Sequence, residues 1–161
     1  LIVKSYRSES FMSRKTIEVV PYKHEWPKMF EKEAQSMQEV LGDNYVALHH
    51  VGSTSVPELS AKPKIDILGV VKNGVASIGP LETIGYLYKG EWNIPFKYGF
   101  AKRGKVNVNL HLYEEGHPEI ELNLRFRDHL RSNPCARDAY ASLKADLLKD
   151  KTSFEKRNSL F

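Results

Sequence analysis

A single cysteine, Cys135, leaves this 161-residue chain unable to close an internal disulfide, so nothing in it asks for an oxidising compartment. No apolar stretch approaches the roughly 18 residues that a membrane helix needs, and no short apolar block reads as a secretory leader. Repeats, heptad arrays and low-complexity tracts are missing too, which excludes solenoids and coiled coils. No two of the six histidines fall at helical metal spacing, and no activated serine or cysteine motif is present. These two absences argue against a dedicated zinc centre and against covalent acyl chemistry. The expected setting is the cytoplasm, with no membrane partner.

What is present is ordinary globular material: 41% hydrophobic and 27% charged residues, enough to bury a core in one domain. The 24 Lys and Arg against 20 Asp and Glu give a net charge of +4. That balance suits a phosphate-bearing ligand without demanding nucleic acid.

Residues 1–15 read as a loose arm or an appended non-native segment, and 16–161 as a single domain. Thr16 to Pro21 is a short β-like run. From Pro27, the residues Phe30, Ala34, Met37 and Leu41 recur with helical period, and Gly42 stands just past the end, which predicts a core-packed helix. Tyr45–Val51 and Ile65–Val71 read as strands, the second apolar enough to be buried on both faces. A helix over Val75 to Ile84 is expected to break at Gly79-Pro80. Strands are expected over Tyr86–Tyr88, Trp92–Phe100 and Lys105–Tyr113, the last two joined by a turn at Arg103-Gly104. Ile120, Leu122, Leu124 and Phe126 alternate like a strand, yet Leu122, Phe126 and Leu130 share a helix face. Asn133 and Pro134 open a final helix with Ala136, Tyr140, Leu143 and Leu147 as its apolar stripe. The mixture of elements predicts an α/β or α+β domain.

Chemistry concentrates between the first two strands. His49 and His50 lead into Gly52, where the backbone can approach a ligand, and into the hydroxyls of Ser53, Thr54 and Ser55. Such a turn suits phosphate, with Lys62 and Lys64 as charge neutralisers. The same Gly and Ser also suit a tight turn with no ligand. Asp66 opens an apolar strand, a costly place for a charge unless it is salt-bridged to Lys62 or Lys64 or bound to a divalent metal. A polar strand face farther on carries Asn107, Asn109 and His111. Lys97, Lys102, Arg103 and Lys105 interleave with Trp92, Phe96, Tyr98 and Phe100, a pattern that suits either single-stranded nucleic acid or a solvated hairpin.

Gly-Ser, a short connection and a carboxylate at the head of a strand resemble the nucleotidyltransferase superfamily of the polymerase-beta-like fold. The fuller string Gly52 to Pro57, then Ala61-Lys62-Pro63 and Ile65-Asp66, is similar to the GrpB family within it. Phe126 to Arg131 resembles that family's FRDYLR block, and Tyr140 and Leu143-Lys144 extend the likeness, which runs roughly from Ile17 to Lys149. It implies a nucleotidyltransferase-like mixed sheet flanked by helices, and a helix ending near Arg131. It also implies nucleoside triphosphate binding with magnesium or manganese: Gly52 and Ser53 on phosphate, and Asp66 as catalytic metal ligand. Two positions depart from the pattern. Leu68 stands where a second carboxylate is usual, so replacement metal ligands would come from Glu58, Glu121 or substrate phosphates; Glu58 stands where the family usually has Gly, and either repels a phosphate or serves as a displaced metal ligand. The alternatives to an active nucleotidyltransferase are a degenerate nucleotide-binding module and a nucleic-acid accessory protein.

Overall fold

The computed structural model describes residues 18–158; the arm expected over residues 1–15 and the start of the Thr16–Pro21 run lie outside the described residues. From that run, Val20 forms an isolated bridge to Ala61.

Helical periodicity is realised in α1 (Glu25–Leu41), which buries Trp26, Met37 and Leu41 and ends at Gly42, φ 55°. Five strands follow: β1 (Tyr45–Val51), β2 (Lys64–Val71), β3 (Leu87–Gly90), β4 (Tyr98–Lys102) and β5 (Asn107–Glu114). They form one mixed sheet in the order β1-β2-β5-β4-β3. Only β2 and β5 run parallel, because α2 (Val75–Glu82) and the β3-β4 hairpin form the crossover between them. Two helices complete the domain, α3 (Pro118–Ser132) and α4 (Pro134–Asn158).

The period-two patterns divide the sheet into two faces. Ile65, Ile67, Val108, Leu110 and Leu112 pack with Trp26 and Met37 of α1 and Leu81 of α2 into the main core. At 0% exposure, side chains such as Ile67 and Leu110 each contribute about 1.5–3 kcal/mol of burial. The opposite face carries Val51, Leu68 and Tyr113 under Ile94 and, from α3, Ile120 and Leu124. Asp66 pairs in register with Asn109, and Leu68 with His111. All four therefore share this second face, at the end where β1 runs into Gly52.

Several local expectations need correction. Trp92 to Lys97 is not strand: Trp92, Asn93 and Phe96 take left-handed φ values of 47°, 63° and 64°, which no pleat accommodates. Glu91 stabilises the turn by accepting from the Phe96 N–H at 2.6 Å. The helix at Val75 runs unbroken through Gly79-Pro80, losing one N–H bond while Ser77 and Leu81 stay fully buried. The ambiguous Ile120 to Arg127 stretch is helical. Of the face Leu122, Phe126 and Leu130, only Leu130 is buried; Ile120 and Leu124 turn inward beside it, and Leu122 and Phe126 are exposed. In α4, Ala136 and Tyr140 pack inward whereas Leu143 and Leu147 are exposed. Among the described residues, no helix is long and apolar enough to cross a membrane.

Candidate functional site

β1 ends in a backbone conformation that only glycine takes easily: Gly52 has φ 73°. A Cβ there would also stand 2.7 Å from Asp66 Oδ2, so the residue is needed for close approach as well as for its turn. Ser53–Ser55 form a single 3-10 turn rather than the start of a longer helix. Two of its three hydroxyls serve the scaffold. Ser55 Oγ donates to the Gly52 carbonyl, and Thr54 Oγ1 shares a 2.9 Å hydrogen bond with His50 Nε2. The third, Ser53 Oγ, faces Lys144 of α4.

His50, a sequence candidate, lies on the core face, stacked on Phe30 with ring centroids 5.1 Å apart. Burial, with help from Arg131 and Arg127 and against Asp66, pushes its pKa down to about 4. A neutral imidazole supporting Thr54 is a positioning residue, remote from acid-base duty at pH 7. The turn is also gripped from α3. Arg127 Nη1 donates to the His50 carbonyl at 3.1 Å, and Arg131 Nε to the Ser55 carbonyl at 2.9 Å. The Phe126–Arg131 block thus fixes the turn through its carbonyls.

Asp66 is 24% exposed and accepts from His111, Nε2 to Oδ1 3.1 Å. The other oxygen donors proposed from sequence do not join it. Glu58, at φ 67°, pairs with Arg137 at 3.0 Å. Glu121 pairs with Arg125 on the exposed surface of α3. Asn109 Oδ1 accepts from Arg103 Nη2 at 2.8 Å, and Leu68 is wholly buried. Among the described residues no three His, Cys, Asp or Glu side chains gather as a metal-binding group. The donor set does not fit a carboxylate-bridged magnesium or manganese centre.

Cations assemble instead. A cavity of about 160 Å³ is lined by Ser53, Thr54, Ala61, Lys62, Lys64, Asp66 and Lys144. Lys144, which sequence reasoning did not single out as a site residue, donates from Nζ to Ser53 Oγ at 2.6 Å. Burial is the main cause lowering its pKa, followed by Lys62; Asp66 opposes and Lys64 adds. Its signal was present in the Leu143-Lys144 part of the family resemblance. A second hollow of about 140 Å³ shares Gly52 and Ser53 and is walled by Val56, Phe126, Leu130 and Tyr140, with Asn123 and Arg127 beside them.

The basic hairpin is dispersed. Lys97 is buried over the Trp92 ring at 5.0 Å, Lys102 pairs with Glu33 at 3.0 Å on the core side, and Arg103 bonds to its own hairpin's carbonyls at Lys102 and Val108.

Residues 16–158 match the family model described as GrpB protein. A UPF0157 protein of Halalkalibacterium halodurans is 41% identical over 82% of this chain and 69% of its own length. The UPF0157 protein YqkA of Bacillus subtilis is 38% identical, and the match covers 83% of this chain but only 40% of that protein. Among solved structures, the conserved protein GrpB from Enterococcus faecalis has a TM-score of 0.75 at 35% identity, covering 83% of this chain and 84% of that one. The Cid1 poly(U) polymerase has a TM-score of 0.51 at 9% identity, over 78% of this chain and 41% of that one, a likeness of fold alone. The fold is nucleotidyltransferase-like, and on the span of the family match this chain belongs to the GrpB family.

Proposed function

We propose that this chain is a phosphate-recognition module on a nucleotidyltransferase-like scaffold, taking a nucleotide or a related phosphate-bearing small molecule, with nucleotidyl transfer slow or absent. One observation carries the reading: Lys144 reaches Ser53 across a small cavity that also holds Lys62 and Lys64, against the single carboxylate of Asp66. Ser53 and Lys144 would hold phosphate oxygens, each charge-assisted bond contributing about 1.5–3 kcal/mol. Lys62 and Lys64 would neutralise the remaining charge. The neighbouring hollow beside Phe126 and Tyr140 offers an apolar surface to the organic part of the ligand.

A second reading, residual nucleotidyl transfer, is favoured by Asp66 itself, which stays partly exposed at the rim with its orientation set by His111. A nucleic-acid accessory role has less support, because three of the four hairpin cations, Lys97, Lys102 and Arg103, are engaged within the domain.

Thermal unfolding in a series of nucleoside triphosphates and polyphosphates tests the proposal. A ligand at a hundred times its Kd should stabilise the protein by about 2.7 kcal/mol. Ser53→Ala combined with Lys62→Gln should remove most of that gain. A full shift in the double variant would place the ligand elsewhere.

A further inference from the structure

We infer that the pocket at Ser53 binds its anionic ligand without a divalent cation: Lys144, together with Lys62 and Lys64, supplies the positive charge that a metal would otherwise bring. The inference rests on the phosphate-recognition reading above. Hard divalent ions need several oxygen ligands, and magnesium insists on near-octahedral order. The side-chain oxygens that the sequence offered to complete such a shell each have a cation of their own: Glu58 has Arg137, Glu121 has Arg125, and the Asn109 side-chain oxygen has Arg103. Two residues beyond Asp66 the strand carries Leu68, fully buried beneath α3. Asp66 is left as a lone carboxylate already accepting from His111.

The same space holds three ammonium groups. Lys144 spends its hydrogen bond on a hydroxyl, Ser53 Oγ, and not on a carboxylate. Burial is the main cause lowering its pKa; Lys62 and Lys64 add to that and Asp66 opposes it. A dication entering there meets repulsion. A polyanion meets the charge that is missing.

Calorimetric titration of the full chain with inorganic tripolyphosphate and with ATP, once in EDTA and once in excess magnesium, tests this. Both ligands are expected to bind in EDTA, with affinity unchanged or weakened by metal, because chelation withdraws phosphate charge from the lysines. Lys144→Met is expected to lower the affinity in EDTA by about tenfold or more, whereas Lys144→Arg keeps most of it; circular dichroism confirms that both variants fold. Binding that appears only with metal overturns the metal-free site and leaves phosphate recognition standing. Affinity unchanged in Lys144→Met overturns it as well. If neither ligand binds under either condition, phosphate recognition falls and takes this inference with it.

Discussion

Two places in this domain set carboxylate against ammonium, and they are built on opposite principles. Glu33 of α1 accepts from the Tyr86 hydroxyl and from Lys102, whose ammonium also lies 5.3 Å over the Tyr86 ring. One carboxylate meets one cation, the phenol fills the remaining demand, and the group is closed. At the other place three lysines line one cavity with Asp66, and one of them, Lys144, bonds to a serine. The first arrangement ties α1 to the sheet. The second is left out of balance, which is what a binding site for an outside anion requires and what a purely structural ion pair avoids.

The largest way to disturb this contrast is to give the open site a second carboxylate. Leu68→Asp places a charge at a position with 0% exposure, and unfolding in denaturant should show a loss of about 4 kcal/mol. Magnesium or manganese should restore part of it; no recovery at all would mean that position 68 does not communicate with Asp66. Unbalancing the closed site comes next. Glu33→Ala strands Lys102 and the Tyr86 hydroxyl and should cost about 3–4 kcal/mol, while phosphate affinity in the folded fraction stays unchanged. A drop in affinity would show that the two places are coupled.

Acid makes the smallest change. His50 titrates at about 4 when folded against 6.5 when unfolded, so between these values the unfolded chain holds more protons. Stability therefore rises with pH across that window and is lost as pH falls through it, by about 3 kcal/mol in full. His50→Gln should flatten the curve from pH 6.5 to 4 relative to the parent. Parallel curves would remove His50 from the account.

Much of the site was legible because its pieces lie close together in the chain. Gly52 and Ser53 lie in the turn that ends β1 and Asp66 on the adjacent β2, a short connection away, so local pattern was enough to bring them together. Lys144 reaches Ser53 across 91 residues, and no periodicity announces a contact between the end of one strand and the middle of the last helix. Glu58 was misplaced for a related reason: its carboxylate is captured by Arg137 of α4, a long-range partner invisible in the connection itself. In the fold, the alternation along β5 gave its buried and polar faces correctly. Trp92 to Lys97 misled because aromatic residues are common in strands, while the backbone there follows left-handed turns that composition does not record. Of the α3 face Leu122, Phe126 and Leu130, only Leu130 is buried, while the neighbouring row of Ile120 and Leu124 faces the sheet. A helical period states that a stripe exists and leaves its direction to the partner surface.

Gly52 and Asp66 also constrain how the site can change over generations. The Asp66 carboxylate fills the space where a side chain at position 52 would begin, and φ at Gly52 is positive. A substitution at 52 is therefore penalised twice, by the positive φ and by the Asp66 Oδ2 and Cβ atoms 2.7 and 3.0 Å from the new Cβ.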